Sequence, residues 1–315
     1  MKITMIEPIG ISKEQAEQVF GGLLSQGHEL VYCGEPLSIQ EKLERAADAE
    51  ILIVANTPLP GEVIRTAQKL KMIAVAFTGV DHIPMELCRE RGITVCNAQG
   101  YCTHAVAELT FGLAIACMRQ ILACDTLTRT EKTKAGHIGN ELYGKTFGIV
   151  GTGAIGSCVA RIAGAFGCRV LGYSRSQRQE ALEAGVEYTD LKDLLQRSDI
   201  VSLHVPLTAE TRHLIDREKV GCMKPGAVLI NVARGDVVDS DALAEALNDG
   251  RLGAAGIDVF EQEPPVDAGH PLLHAKNTVV TPHVAFATKE SMINRAEIVR
   301  DTIAAWLSGN PVNVK

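Results

Sequence analysis

The sequence predicts an α/β protein made of two parallel-sheet domains. Its 315 residues correspond to about two domains of roughly 150 residues each. Short apolar runs alternate with amphipathic segments along the whole chain, which is typical of strands followed by crossover helices. A glycine-rich hexad also stands between an apolar run and a helix-like segment in the second half. These observations favour two Rossmann-like or flavodoxin-like domains.

The composition excludes several other classes of protein. Hydrophobic residues make up 46% and charged residues 22% of the chain, as in folded globular proteins. Lys and Arg number 31 against 38 Asp and Glu, a net charge of −7, so no basic excess attracts a polyphosphate. We therefore expect a small-molecule partner and no nucleic acid.

The first hundred residues predict a small parallel α/β domain. About five strand-like runs are separated by helix-like segments. The runs are ITMIE, ELVYC, AEILIVAN, KMIAVAF and ITVCNA, and the segments cover Lys13–Leu24, Ile39–Ala47, Pro60–Ala67 and Pro84–Arg91.

The remaining chain predicts a second, larger sheet. Residues 102–119 are apolar on nearly every face, which predicts a helix buried all round, between domains or between subunits. Six strand-like runs follow, enough for a doubly wound sheet. They are TFGIV, CRVLGY, DIVSLHV, AVLINVA, AAGIDV and NTVVTPH. The amphipathic segment Lys289–Leu307 is expected to pack on the first domain, so the predicted domains are 1–99 plus 284–315, and 100–283.

The nine cysteines are odd in number, include no CxxC pair and lie mostly in apolar stretches, so we expect small buried hydrophobic residues. The N-terminus shows no signal-peptide pattern, and no apolar stretch reaches the roughly 20 residues of a membrane span. These features favour a cytoplasmic protein without a membrane partner. The cysteines and histidines do not fall at metal-ligand spacing, and no metal is expected.

The hexad Gly151-Thr-Gly153-Ala-Ile-Gly156 matches the GxGxxG pattern. The pattern alone is weak, but here it follows the apolar run FGIV, opens a helix and is followed by a second strand within about thirty residues. Gly151 provides a tight turn, Gly153 lets the backbone approach a pyrophosphate, and Gly156 allows close helix packing. With Ala154 and Ile155 at the helix N-terminus, this segment predicts a dinucleotide site.

The end of the second strand in this unit indicates which dinucleotide binds. An acidic residue there holds the ribose 2′-hydroxyl of NAD, but this chain has Ser174, Arg175 and Ser176. Arg175, together with Arg178, offers positive charge for a 2′-phosphate. The sequence favours NADP, and the alternative is a solvated basic loop beside an NAD site.

Several motifs agree in order and spacing with a known family. They are AFTGVDHI (76–83), NAQGYCTHAVAE (97–108), ELYGKTFGIVGTGAIG (141–156), DIVSLHVPLTAETRHLI (199–215), MKPGAVLINVARGDVVD (223–239), GIDVFEQEPP (256–265) and TPHVAFAT (281–288). Over almost its whole length the chain resembles the D-isomer-specific 2-hydroxyacid dehydrogenases. The resemblance implies a substrate-binding catalytic domain, an inserted nucleotide domain, an active site in the cleft between them, and a homodimer.

By motif position, the resemblance implies that Arg234, Glu263 and His283 are catalytic. Arg234 would orient the substrate carboxylate through two hydrogen bonds. His283 would act as general acid in reduction and general base in oxidation. Glu263 would hold the imidazole and favour its protonated form. Taken singly, each of these residues could instead be an ordinary polar surface residue.

The same resemblance assigns supporting residues. Thr78 and Gly79 would offer backbone N–H groups to the substrate carboxylate, although a plain strand-to-helix turn is the alternative. Asp258 would accept the nicotinamide carboxamide, or else cap a helix. Further cofactor contacts are implied at positions Val205, Pro206, Thr211 and Ala233, although strand termination also explains the residues that end strands.

The substrate class is predicted from one position at which this chain differs from the family members that act on phosphoglycerate. Phosphoglycerate-acting members usually carry an Arg where this chain has Ala55, followed by Asn56. We therefore expect a small unphosphorylated 2-oxo acid such as hydroxypyruvate or glyoxylate, reduced to the D-2-hydroxy acid. We also do not expect the regulatory domain that many phosphoglycerate enzymes carry. The alternatives are an NAD-dependent phosphoglycerate dehydrogenase-like enzyme and a dinucleotide-sensing scaffold without activity.

Overall fold

The computed structural model describes residues 1–130, 132–262 and 265–315. The chain folds into two compact units. Unit 1 contains residues 1–102 and 287–315, and unit 2 contains residues 103–286. These limits lie three residues beyond the predicted boundaries at 99 and 283. Both units are parallel α/β structures, which confirms the predicted fold class.

Unit 1 begins with five strands and four helices in alternation. They are β1 (Lys2–Met5), α1 (Lys13–Ser25), β2 (Glu29–Val31), α2 (Ile39–Ala46), β3 (Ile51–Val54), α3 (Gly61–Thr66), β4 (Met72–Val75), α4 (Met85–Glu90) and β5 (Thr94–Asn97). The strands pair in parallel in the order β2-β1-β3-β4-β5. This is the flavodoxin-like order, in which the chain reverses direction across the sheet between β1 and β3.

Local sequence signals explain the helix starts and the central strands of unit 1. Ser12 caps α1 and Ser38 caps α2, each in a reciprocal capping box with the residue three positions later. Strands β3 and β4 are buried along their whole length, as expected for central parallel strands covered on both faces.

Unit 2 carries the larger sheet. Its elements are α5 (Thr103–Met118), α6 (Ile121–Arg129), β6 (Thr146–Val150), α7 (Ala154–Ala165), β7 (Arg169–Tyr173), α8 (Gln179–Glu183), β8 (Glu187–Tyr188), α9 (Leu191–Arg197), β9 (Ile200–Leu203), α10 (Arg217–Cys222), β10 (Val228–Asn231), α11 (Ser240–Asn248), β11 (Ala254–Ile257), α12 (Pro271–His274) and β12 (Thr278–Val280). The parallel order is β12-β11-β10-β9-β6-β7-β8. The sheet therefore reverses direction between β6 and β9, the doubly wound arrangement.

One prediction for unit 2, the number of strands, was wrong in detail, and one, the burial of α5 between domains or subunits, stays a prediction. The sheet has a seventh strand, β8, whose two residues are too few to show a strand pattern in the sequence. Helix α5 packs on α7, β10 and β11, but it is not buried all round within the described chain. His104, Glu108 and Gly112 form an exposed row at a spacing of four residues.

The chain returns to unit 1 with α13 (Lys289–Leu307). This helix packs on α1 and on β4, as predicted from its amphipathic pattern. Residues beyond it then cover the edge strand β5, because the N–H of Asn97 donates to the carbonyl of Asn313 and the N–H of Lys315 donates to that of Val95. An edge strand of the sheet is thereby paired.

All nine cysteines are free thiols, six of them buried and three half-buried. Burial raises the pKa of Cys117 to about 12, so this thiol stays protonated. The expectation of small buried hydrophobic residues is confirmed for the majority. Among the described helices, none alone is long and apolar enough to cross a membrane, and by length and composition only the bent pair α5 and α6 passes that test.

Candidate active site at the carboxyl edge of the unit 2 sheet

The carboxyl ends of six strands meet at one edge of the unit 2 sheet. Because all strands are parallel, the residues that follow them share this edge. They are Gly151 after β6, Ser174 after β7, Val205 after β9, Ala233 and Arg234 after β10, Asp258 after β11, and His283 shortly after β12. The structure therefore places most of the predicted cofactor residues and two predicted catalytic residues along one edge.

The glycine hexad forms the turn between β6 and α7. Gly151 has a φ of +96°, and an added Cβ would lie 2.7 Å from the carbonyl oxygen of His204. At Gly156 an added Cβ would collide with the carbonyl oxygen of Gly151. These two positions have no room for a side chain, Gly151 because of the segment after β9 and Gly156 because of the turn itself.

The space in front of this turn fits a pyrophosphate. At Gly153 an added Cβ would meet no atom within 4 Å, so the backbone here faces open space. Gly153 is the N-cap of α7, and no side chain caps the N–H groups of its first turn. Free N–H groups and the positive end of a helix dipole bind phosphate oxygens. The residues present thus suit the pyrophosphate of a dinucleotide.

The loop after β7 contains the residues predicted to choose between NAD and NADP. Ser174 is half-buried, whereas Arg175 and Ser176 are exposed. A hydrogen bond from Thr208, a backbone N–H and the nearby Arg175 lower the pKa of Glu210. Arg175 therefore lies close enough to the loop after β9 to act on its charges.

Tyr188 of β8 connects two predicted cofactor loops and was missed by the sequence analysis. Its hydroxyl lies 2.7 Å from Oγ1 of Thr152 in the glycine turn. The same hydroxyl accepts the backbone N–H of Arg178 at 3.0 Å. One side chain thus fixes the glycine turn relative to the loop that carries Arg175.

Replacing Tyr188 with phenylalanine is expected to lower the free energy of unfolding by about 1–2 kcal/mol, because the buried Thr152 hydroxyl loses its partner. The dissociation constant for the dinucleotide should rise several-fold. Chemical denaturation and fluorescence titration measure the two effects. Tyr143→Phe is the control, since Tyr143 is 77% exposed. Equal behaviour of the two variants would refute the role given to Tyr188.

His204 follows β9 directly beneath the glycine turn. Its Nε2 lies 3.0 Å from Oγ of Ser202, and its backbone N–H donates to Val150. Burial lowers the pKa of His204 to about 3 from an ordinary 6.5. The imidazole is therefore neutral at every physiological pH and serves the packing of this edge.

The half-buried His204 is expected to make unit 2 sensitive to acid. Below pH 6.5 the unfolded chain takes up a proton at this residue and the folded chain does not, so stability falls as the pH falls. Between pH 6.5 and pH 5 the loss is about 2 kcal/mol. Urea unfolding at several pH values gives the free energy of unfolding at each pH. This free energy should depend less steeply on pH for His204→Gln than for the wild type. Identical slopes would contradict this assignment.

The loop after β9 is closed by Thr211. Its Oγ1 donates to the carbonyl of Pro206 at 2.6 Å and accepts the backbone N–H of Thr208 at 2.8 Å. Val205 is half-buried and packs against the core of the unit, while Pro206 is exposed. Thr211 therefore shapes the loop that carries Val205 and Pro206. Cofactor contacts are predicted at all three residues.

Arg234 stands on a turn that is clamped by Asn231, a second residue that sequence reasoning missed. Asn231 is buried, its Nδ2 donates to the carbonyl of Arg234 at 2.9 Å, and its Oδ1 accepts the N–H of Ala233 at 3.1 Å. The guanidinium of Arg234 donates to the Ala233 carbonyl at 2.8 Å. The half-buried Arg234 side chain is thus held by its own turn.

Asp258 is completely buried behind this edge. One carboxylate oxygen accepts from Oγ1 of Thr281 at 2.5 Å and from the N–H of Val284 at 2.9 Å, and the other accepts the N–H of Ala285 at 2.8 Å. Burial raises the pKa of Asp258, although these three donors stabilise its carboxylate. Its visible role is to hold the 281–285 turn, and the predicted carboxamide contact would use the remaining lone pair.

His283 lies in the middle of that turn. Its φ of +55° is in the left-handed region, which few non-glycine residues adopt. Its backbone N–H donates to the carbonyl of Asp258 at 2.7 Å, and its ring meets Phe286 edge-on at a centroid distance of 5.5 Å. The surrounding structure thus fixes both the backbone and the ring. Glu263, predicted to pair with this imidazole, lies outside the described residues.

In unit 1, Thr78 and Gly79 follow β4. Nδ2 of Asn97 donates to the carbonyl of Thr78 at 2.5 Å. Within the described chain, the backbone N–H groups of Thr78 and Gly79 make no hydrogen bond. These N–H groups are available as hydrogen-bond donors, and their contact with a substrate carboxylate stays a prediction.

In the described parts of the chain, no group of three or more His, Cys, Asp or Glu side chains is arranged to hold a metal ion.

Residues 111–285 match the family model described as D-isomer specific 2-hydroxyacid dehydrogenase, NAD binding domain. A D-3-phosphoglycerate dehydrogenase of Methanocaldococcus jannaschii is 43% identical over 87% of the chain, which spans only 52% of that relative. A glyoxylate reductase of Korarchaeum cryptofilum is 42% identical over 87% of the chain and 84% of the relative. A hydroxypyruvate reductase of Thermotoga maritima is 40% identical over 85% of the chain and 88% of the relative.

Solved structures are similar over the whole chain. An acyclic imino acid reductase in complex with NADPH and D-Arg shares 31% identity with a TM-score of 0.88, and both chains are covered completely. A D-lactate dehydrogenase from Aquifex aeolicus, complexed with NAD and lactic acid, shares 30% identity with a TM-score of 0.84 over 98% of this chain and 96% of that one. The two complexes hold different nicotinamide dinucleotides.

Proposed function

Because the chain belongs to the D-isomer-specific 2-hydroxyacid dehydrogenases, NAD(P)-dependent oxidoreductases that act on CH–OH groups, we propose that it reduces a small unphosphorylated 2-oxo acid with NADPH. Hydroxypyruvate and glyoxylate are the proposed substrates, and the D-2-hydroxy acid is the product.

One observation carries this proposal. At the carboxyl edge of unit 2, an uncapped helix N-terminus suited to a pyrophosphate shares its edge with a histidine held in a left-handed turn. Such a conformation costs about 1–3 kcal/mol and persists only where the surroundings enforce it. Asp258 provides that enforcement, since it binds the turn on both sides of His283. A proton donor fixed beside a dinucleotide site is what carbonyl reduction needs.

The steps of the proposed reduction are assigned to the nicotinamide and to a few residues. The reduced nicotinamide supplies a hydride to the carbonyl carbon when it is bound. His283 gives a proton to the carbonyl oxygen, so that the product leaves as an alcohol. Arg234 binds the substrate carboxylate and polarises the neighbouring carbonyl, since a guanidinium can donate two parallel hydrogen bonds. Glu263 is proposed to hold the imidazole, and Thr78 and Gly79 to bind a substrate carboxylate through their N–H groups.

The preference for NADPH rests on the loop after β7. No acidic side chain follows the strand, and the exposed Arg175 can reach a 2′-phosphate. The relatives named above include complexes with NAD and with NADPH, so the choice depends on this chain's own residues.

Initial rates test the function directly. Hydroxypyruvate, glyoxylate, pyruvate and phosphohydroxypyruvate are each offered NADPH and NADH, and the loss of reduced-nicotinamide absorbance is recorded. We expect turnover of the first two substrates, with NADPH preferred. Arg175→Ala should lower the NADPH-to-NADH ratio of kcat/KM about tenfold or more, because it removes a charge-assisted hydrogen bond. A preference for phosphohydroxypyruvate would overturn the substrate assignment, and the absence of all turnover would favour a dinucleotide-sensing role.

A homodimer is also proposed for this enzyme. Several large apolar side chains are exposed on unit 2 in and after α6. They are Ile121, Leu122, Ile138 and Tyr143, and Ile138 is 87% exposed. Exposed large apolar side chains concentrated in one stretch of the chain favour an association site there. Light scattering at micromolar concentration should give twice the mass of one chain, and a monomer would contradict the proposal.

A further inference from the structure

The turn that carries Arg234 is supported by a second segment of unit 2. Gly235, the next residue, is buried, and an added Cβ would collide with the carbonyl group of Phe260 and the backbone nitrogen of Glu261. The peptide bond between Phe260 and Glu261 therefore lies directly against the turn, with no side chain between them. Because packed interiors transmit displacements, a shift of this peptide bond would move the Arg234 turn.

The segment of Phe260 and Glu261 is held by His270. Nε2 of His270 lies 2.8 Å from Oε2 of Glu261, and its ring meets the ring of Phe260 edge-on at a centroid distance of 5.0 Å. The side chain of His270 is 12% exposed. One imidazole thus contacts both residues of the peptide bond that supports the turn.

The other ring nitrogen fixes the orientation of this imidazole. His270 is the N-cap of α12, and its Nδ1 accepts the backbone N–H of Leu272 at 3.3 Å. A ring nitrogen that accepts a hydrogen bond carries no proton, so the ring proton lies on Nε2 and is donated to the carboxylate of Glu261. Leu272 is 2% exposed and belongs to the hydrophobic core of unit 2. His270 therefore connects Glu261 to the core.

Glu261 is held as a carboxylate. Burial raises its pKa, but hydrogen bonds from Ser240 and His270 outweigh burial, and the pKa of Glu261 is lowered. Ser240 begins α11 and is 8% exposed. Because hydrogen bonds to an ionised carboxylate are stronger than those between neutral groups, Glu261 is firmly attached to α11 and α12.

We infer, building on the proposed role of Arg234 in binding the substrate carboxylate, that His270 is a positioning residue for Arg234. It acts through Glu261 and through the peptide bond between Phe260 and Glu261, and it takes no part in proton transfer. Without the contact between His270 and Glu261 the turn shifts, and a small misplacement of a substrate-binding group lowers the rate of reaction strongly.

Two substitutions of His270 separate its two contacts. The amide of asparagine lies close to Cβ, as Nδ1 does in histidine, so His270→Asn keeps an acceptor for the N–H of Leu272 but does not reach Glu261. The amide of glutamine lies one carbon further out, as Nε2 does. His270→Gln therefore keeps a donor for Glu261 but does not cap α12.

His270→Asn is expected to lower kcat/KM, for the 2-oxo acid that the wild type reduces fastest, about tenfold, with an unchanged melting temperature. His270→Gln should do the reverse, with kcat/KM within about twofold of the wild type and a melting temperature about 2–4 °C lower, because a helix cap is lost. A purely structural role would make kcat/KM follow the melting temperature in both variants. Unchanged kcat/KM in folded His270→Asn, or a larger loss in His270→Gln, would overturn the inference.

His274→Asn is the matched control, because His274 is an exposed histidine of the same helix. Its kcat/KM and melting temperature should equal those of the wild type. If His270→Asn does not fold, Glu261→Ala removes the same contact from a side chain that is 31% exposed, and the same loss of kcat/KM is expected.

A double variant tests whether His270 acts through Arg234. In an Arg234→Gln background, His270→Asn should lower kcat/KM by less than about twofold, because the residue that it positions is already gone. A further tenfold loss in that background would mean that His270 acts on another group, and it would reject this role.

The wild-type rates separate this inference from the function on which it rests. Turnover by the wild type together with unchanged kcat/KM in folded His270→Asn would overturn the role of His270 alone. Absence of turnover with every 2-oxo acid would overturn the proposed function, and the role of His270 with it.

Discussion

Replacing His283 with glutamine is expected to lower kcat for 2-oxo acid reduction by about 10²–10⁴-fold, the usual contribution of a positioned general acid. Glutamine keeps a hydrogen-bonding group of similar reach but does not release a proton near neutral pH. The dissociation constant for NADPH should stay within about twofold of the wild-type value, because the glycine turn and the loop after β7 are unchanged. Stopped-flow rates and fluorescence titration provide the two measurements.

His274→Gln is the matched control, since His274 is an exposed histidine of the same unit whose ring nitrogen Nε2 lies 2.6 Å from the backbone carbonyl of Ala268. Its kcat should equal that of the wild type. Because His283 has a φ of +55°, the fold of the variant must be checked by its melting temperature. Near-normal turnover of a folded His283→Gln enzyme would remove His283 from the mechanism.

Replacing Arg234 with glutamine is expected to lower kcat/KM about 10²–10³-fold, because two charge-assisted hydrogen bonds to the substrate carboxylate are lost. Arg234→Lys should lose less, about 10–100-fold, since a lysine keeps the charge but not the planar fork. We therefore also predict that kcat/KM falls further in Arg234→Gln than in Arg234→Lys. Steady-state kinetics over a wide substrate range give the values.

Arg169→Gln serves as the control. Arg169 is exposed and begins β7, so it lies at the opposite edge of the sheet. Its kcat/KM should match the wild type. Equal losses for Arg234→Lys and Arg234→Gln would mean that geometry alone matters, and no loss in either would exclude Arg234 from substrate binding.

Much of the fold was predictable because its signals are local. The steric restriction at Gly156 comes from the carbonyl oxygen of Gly151, within the same six residues, and each capping box at Ser12 and Ser38 joins residues three positions apart. The buried strands β3 and β4 are equally readable as apolar runs.

The sequence did not predict contacts that join distant segments. Tyr188 and Asn231 are ordinary strand residues in the sequence, and their roles appear only when β8 meets the glycine turn and when β10 ends in its clamped turn. Asp258 was predicted to face the cofactor, but its three hydrogen bonds to the 281–285 turn depend on the pairing of β11 with β12. Non-local geometry of this kind has no signature in one sequence.

The path of the chain through unit 1 has a consequence for its synthesis. Residues 1–102 leave the ribosome first, but α13, which packs on α1 and β4, belongs to the same unit and follows only after residues 103–286. At about 5–20 residues per second, this delay lasts roughly 10–40 s. Throughout that time the apolar surface that α13 will cover is open to water and to other nascent chains. Unit 1 can therefore complete its fold only after the whole of unit 2 has been synthesised.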